Sequence, residues 1–181
     1  GLHTAEYKPV LGLGTGHEGA WSSSPWLRTF RELNVEALVL AFTPFGRVPD
    51  WLRAVPTVLA GCFPTERPAC DSVALDRTEA GAVGIGHLLE RGHKRICVAT
   101  GTHTDFGRAC LATLEAAGLA PVGPLPADEA TTSDVPGLFR ACVAASPRPT
   151  AVIFADSVLA VHFMREALGR GLRVPEDVAL I

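Results

Sequence analysis

Short, continuously apolar segments alternate along this chain with longer segments of helical periodicity, and the links between them are brief. Residues 37–42 are continuously apolar, as a strand buried on both faces should be, 57–60 read as a second buried strand, and 95–100 and 151–155 read as further strands. Ser24-Pro25 supplies an N-cap and a first helical residue, and Trp26, Leu27, Phe30 and Leu33 then recur at helical spacing, which predicts a helix over 25–33. Further helices are predicted over 77–91, 106–117, 135–145 and 157–170, with Gly92, Gly118 and Gly171 standing where a left-handed residue ends a helix. Residues 10–13, 72–75 and 178–181 complete the strands, 49–54 suits one short helix, and 121–126 is rich in turn residues with room for a brief strand. Strand-helix alternation with short links is the signature of a parallel α/β sheet with right-handed crossovers.

Composition narrows the function classes. At 181 residues, 48% hydrophobic and 19% charged, the chain has apolar material for one large domain or two small lobes and is too apolar for disorder. No apolar run reaches the roughly 18 residues of a membrane span, and Gly1-Leu2-His3-Thr4 lacks the basic and apolar regions of a signal peptide. A net charge of −3 makes the chain by itself a poor ligand for nucleic acid, whose binding rests on phosphate contacts. Cys62, Cys70, Cys97, Cys110 and Cys142 are odd in number, contain no C-x-x-C, and fit neither a zinc cage nor a disulfide framework. They read as buried thiols in a reducing cytoplasm. Residues 1–8 resemble the tail of a helix, and 178–181 stop where a core strand would continue, so a fragment of a longer protein is expected.

Gly14-Thr15-Gly16-His17-Glu18-Gly19 spells G-x-G-x-x-G after a strand-like run, but the next helix begins too late for its N-terminus to meet a phosphate. The following strand also ends in Phe42-Thr43 with no acidic residue for a ribose, so no nucleotide cofactor is expected. The histidines are scattered: His93 follows a helix stop, where it is expected to bind carbonyls, and His162 with Glu166 does not by itself make a metal site. Neither a G-x-S-x-G elbow nor an H-E-x-x-H pair occurs, and no enzyme is expected. Two strand ends stand out, because ligands of open α/β sheets bind off the carboxyl ends of strands. One is Gly101-Thr102-His103-Thr104-Asp105-Phe106-Gly107-Arg108, where Arg108 falls in a first helical turn against the helix dipole. It either holds hydroxyl, carboxylate or phosphate groups or simply pairs with Asp105. The other is Asp156-Ser157, where Asp156 is a good N-cap or a ligand carboxylate; Asp76 has the same two readings.

The stretch Val73-Ala74-Leu75-Asp76-Arg77-Thr78-Glu79-Ala80-Gly81, then His87-Leu88-Leu89-Glu90-Arg91-Gly92-His93-Lys94-Arg95-Ile96 and Thr100-Gly101, resembles the effector-binding region of the lactose-repressor (LacI/GalR) family of bacterial transcription regulators. The resemblance continues in Pro149-Thr150-Ala151-Val152-Ile153-Phe154-Ala155 and in Gly171-Leu172-Arg173-Val174-Pro175-Glu176-Asp177-Val178. It implies a periplasmic-binding-protein-like fold of two α/β lobes with a small effector between them. Residues 1–75 would be the partial N-terminal lobe and 76–181 the partial C-terminal lobe, with the family's DNA-binding helix-turn-helix outside this chain.

Carried over position by position, Arg108 matches the family's cleft arginine, which holds sugar hydroxyls or a base. Thr102 and Thr104 lie in the loop before it, Asp76 matches the aspartate ending a lobe-crossing strand, Thr43 falls at a small polar effector-facing position, and Asp156 replaces the family's usual asparagine. Leu111 stands where the family has glycine, and Gly61 where it often has an acid. The partners implied are a sugar or nucleoside-like effector, a second copy of the chain, with Trp21, Trp26 and Trp51 as candidate anchors, and operator DNA through the missing head. No metal, cofactor or membrane is implied. A solute-binding protein of a transport system shares the fold and is the alternative.

Overall fold

The computed structural model describes residues 10, 25–41, 54–61, 71–124 and 133–181. The strand expected at 10–13 apart from Val10, Gly14–Gly19, Thr43, Trp21, Trp51, Cys62 and Cys70 lie outside the described residues, as does 49–54 apart from Ala54. The chain divides into two compact units, Gly1–Leu75 and Asp76–Ile181. Among the described residues no helix is long and apolar enough to cross a membrane.

The first unit holds α1 (Pro25–Glu32) and a parallel sheet of β1 (Leu38–Ala41), β2 (Thr57–Ala60) and β3 (Asp71–Val73), in that order. Leu38 pairs with Thr57, and Val58 with Asp71. Leu38, Leu40 and Leu59 are buried together with Phe30 in the core. Val39 is 73% exposed, so β1 is covered on one face where the sequence suggested two. A continuous apolar run is compatible with either, since apolarity marks what can be buried and not what covers it. The third strand begins one residue earlier than expected and ends at Val73, leaving Ala74 and Leu75 exposed.

The second unit runs α2 (Arg77–Glu90), β4 (Ile96–Ala99), α3 (Asp105–Ala116), α4 (Val135–Ala144), β5 (Ala151–Phe154), α5 (Ser157–Gly169) and β6 (Ala179–Leu180). Its parallel sheet has the order β4-β5-β6, with Ile96 opposite Ala151 and Ala151 opposite Ala179. Every residue of β4 and β5 is buried, because helices cover both faces of these strands. Ile96, Val98, Ala151 and Ile153 face Ile85 and Leu88 of α2 and Phe106, Cys110 and Leu114 of α3. Cys97, Ala99, Val152 and Phe154 face Leu138, Phe139 and Cys142 of α4 and Leu159 and Phe163 of α5. Residues 121–124 form no strand, but Val122 N donates to Ile96 O at 2.8 Å.

The stops are those the sequence marks: α2 and α3 are followed by Gly92 and Gly118, with φ of 84° and 70°. A different glycine sets the spacing of these two helices. A Cβ at Gly81 would stand 2.6 Å from Phe106 O and 3.3 Å from Cys110 Sγ, so α2 and α3 approach backbone to backbone. His93 serves its own helix end through its backbone, with N donating to Leu88 O at 3.0 Å, while its side chain reaches elsewhere: Nδ1 meets Thr150 Oγ1 at 3.1 Å, just before β5.

Between α5 and β6, Arg173 grips Asp177 through Nε and a terminal nitrogen at 3.1 and 3.0 Å, while Arg173 N donates to the same carboxylate at 2.8 Å. These bonds lower the Asp177 carboxyl from its ordinary 3.8 to about 2. A value below the ordinary one means that the contact stabilises the fold above about pH 4 and fades as pH falls toward 2. In a carbon-detected NMR titration Asp177 is expected to shift with a midpoint near 2, and Arg173→Ala to move that midpoint back toward 3.8. Phe163, 1% exposed, meets Phe139 and Phe154 edge-on at 5.2 and 5.4 Å. Phe163→Ala is expected to cost about 3–5 kcal/mol in urea unfolding.

Candidate functional site

In a parallel sheet with helical connections each helix runs antiparallel to the strands, so helix N-termini collect at the strands' carboxyl edge. In the second unit that edge carries the loop between β4 and α3, the turn between β5 and α5, and the start of α2. Ala99 and Phe154 are paired neighbours, so residues 100–104 and 155–156 leave the sheet side by side. Three of the residues singled out in the sequence, Thr102, Thr104 and Asp156, lie on these two connections, and Arg108 follows the first of them, one turn into α3. Asp76 opens α2, which packs on α3.

Three of the candidates are helix caps. Asp76 Oδ1 accepts from Glu79 N at 2.9 Å. Thr104 Oγ1 accepts from Gly107 N at 3.0 Å and donates to Gly101 O at 2.8 Å. Asp156 Oδ1 accepts from Val158 N at 2.6 Å and Leu159 N at 3.4 Å. Free N–H groups at a helix start need acceptors, and Asp and Thr are the residues that supply them. Asp76 and Asp156 remain exposed, while Thr102 and Thr104 are half-buried.

Arg108 lies one turn into α3. Its guanidinium bonds the carbonyl of His103 and pairs with Asp105 Oδ1. The side chains of Arg108 and Asp105 are 61% and 65% exposed. A pair so exposed contributes about 0–1 kcal/mol, less than the roughly 1.5–3 kcal/mol of a charge-assisted bond to a ligand in a desolvated site. Asp105 therefore holds the arginine in place without competing strongly for it. Sequence reasoning missed Gly107, whose absent side chain makes room for Gly101 O against the helix start. The signal was present as Thr104-x-x-Gly107, a cap followed by a residue with no Cβ.

Two cavities lie elsewhere, on α4 and α5. One of about 250 Å³ is lined by Phe139, Arg140, Val143, Ala144, Arg170 and Leu172; another of about 270 Å³ is lined by Val135, Pro136, His162, Arg165 and Glu166. Neither is lined by the candidates above. Among the described residues no group of three or more His, Cys, Asp or Glu side chains is placed to hold a metal ion. The described thiols, Cys97, Cys110 and Cys142, are all free and buried, and burial pushes Cys110 up to about 12.

Residues 85–181, more than half of the chain, match the periplasmic binding protein-like domain. The chain belongs to this family. No curated protein sequence matches this periplasmic-binding-protein-like chain. Solved structures do. The transcription regulator GntR from Chromobacterium violaceum superposes with a TM-score of 0.69 at 20% identity, over 99% of this chain and 68% of that one. A LacI family transcriptional regulator from Mycobacterium smegmatis gives 0.63 at 28% identity, over 84% and 59%. A LacI family transcriptional regulator from Lactobacillus casei, with bound sucrose, gives 0.59 at 18% identity, over 86% and 61%. The periplasmic-binding-protein-like chain thus spans roughly three fifths to two thirds of these proteins.

Asp156→Ala removes the acceptor for two backbone amides of α5. It is expected to lower stability by about 0.5–2 kcal/mol in thermal unfolding, as loss of a helix cap does.

Proposed function

We propose that this chain is the effector-sensing region of a LacI-type transcription regulator, binding a small polar molecule of the sugar or nucleoside class. The observation that carries the reading is Arg108, exposed at the carboxyl edge of a parallel sheet and held there by a surface ion pair with Asp105 and a bond to the His103 carbonyl. Thr102 and Thr104 in the loop before it, and Asp156 on the neighbouring connection, supply hydroxyl and carboxylate groups suited to a polyol. Asp76 and Thr43 join them on the strength of the family resemblance, which also supports 1–75 and 76–181 as the two lobes. The solved relatives named as transcription regulators, one of them holding sucrose, support a sensor over its rival, a solute-binding protein feeding a transporter.

In this reading the molecule is recognised and not transformed. The effector binds one conformation better than another and shifts their populations. In the complete, dimeric, cytoplasmic protein that shift alters operator affinity by a coupling free energy between two sites.

The test is calorimetry on the full-length protein against a panel of neutral sugars and nucleosides. Arg108→Ala is expected to weaken binding about tenfold to 150-fold. The melting temperature is expected to stay nearly unchanged, since the pair lost is a surface one. An Arg108→Ala protein that binds with undiminished affinity overturns the assignment.

A further inference from the structure

Two thiols with no part in effector recognition lie against each other in the core of the second unit. Cys97 in β4 is 0% exposed and Cys142 in α4 is 3% exposed. Their Sγ atoms are 3.6 Å apart, across 45 residues of sequence. Cys97 Sγ also lies 3.5 Å from Pro124 O. Cys110 belongs to the other face of the sheet, with its Sγ 3.7 Å from Gly81 O. Among the described cysteines, only Cys97 and Cys142 are therefore placed to react with one another.

We propose that Cys97 and Cys142 close to a reversible disulfide on two-electron oxidation by hydrogen peroxide, tying α4 to β4. Bonding requires the sulfurs to approach by about 1.5 Å, from contact to the length of an S–S bond. The two thiols differ in how readily they ionise. The Cys97 thiol and the positive charge of Arg148 hold Cys142 below the ordinary thiol value, whereas the pairing itself and burial push Cys97 up. Cys142, in α4 at the less buried end of the pair, is assigned as the first to react. Its thiolate attacks one peroxide oxygen, the O–O bond breaks, and the departing hydroxide takes up a proton as water, leaving Cys142 as a sulfenic acid. The Cys97 sulfur then attacks the sulfenic sulfur. The S–O bond breaks, and the released hydroxide combines with the Cys97 thiol proton as a second water. Two thiols and one peroxide thus give one disulfide and two waters. The ring so closed contains the loop that carries Thr102, Thr104 and Arg108, yet the proposal holds whether or not that loop binds an effector.

Peptide mapping of the whole chain decides it. After peroxide treatment and blocking of free thiols, trypsin leaves Cys97 in residues 96–108, Cys110 in 109–140 and Cys142 in 141–165, because the Arg148–Pro149 bond resists cleavage. The expected product is peptide 96–108 joined to 141–165, released by dithiothreitol. In Cys97→Ser the joined pair is expected to vanish and dimedone to capture Cys142 as its sulfenic acid. Cross-links made instead to Cys62, Cys70 or Cys110, conversion of Cys142 to its sulfinic acid without a cross-link in the unmutated protein, or recovery of both thiols unmodified would each overturn the proposal.

Discussion

Everything in the second unit depends on the register between β4 and β5. Ile96 opposite Ala151 and Ala99 opposite Phe154 place Ile96, Val98, Ala151 and Ile153 on one face, and Cys97, Ala99, Val152 and Phe154 on the other. The two faces meet different helices, α2 and α3 on one side and α4 and α5 on the other. A slip by one residue would exchange the faces of one strand, setting Ile and Val against pockets shaped for Cys and Ala. With each buried Ile, Val or Phe among them contributing about 1.5–3 kcal/mol through burial, packing strongly disfavours such a slip. The same register delivers the β4–α3 and β5–α5 connections to one edge. The grouping of the candidate residues there is a consequence of how two strands pair.

The residues that look like ligand contacts at that edge are also its caps, and one physical need explains both. A helix start exposes backbone N–H groups, which draw oxygens from Asp76, Thr104 and Asp156. Those N–H groups and their dipoles also favour anionic or hydroxylated solutes. Arg108 is of another kind. A cation in the first turn is unfavourable to the helix, and Asp105 with the carbonyl of His103 offsets that cost locally.

What could be read from the sequence was local. The buried strands over 96–99 and 151–154, the helix from Arg77, its glycine stop and the Arg108–Asp105 pair all follow from spacing within a few residues. What could not be read was set by partners far along the chain. One-sided burial of β1 depends on which face other elements leave open, here that of Val39, His93 finds Thr150 across 57 residues, and Cys142 finds Cys97 across 45. Cysteine burial was legible because the flanking residues are apolar; cysteine pairing was not, since each thiol sits in a separate element. Gly107 lies between these cases: its neighbours are near in sequence, but the need for a missing Cβ arises only once the loop folds back on α3.

The backbone approach at Gly81 governs how this unit can move. With Phe106 O seated where a side chain would be, α2 and α3 interlock without a lubricating layer of long, flexible groups between them. Sliding one past the other would open a void or force a collision, so the pair shifts as a single rigid block. A displacement of the loop ahead of α3 is therefore expected to take α2 with it, leaving the connections outside this block to absorb the change.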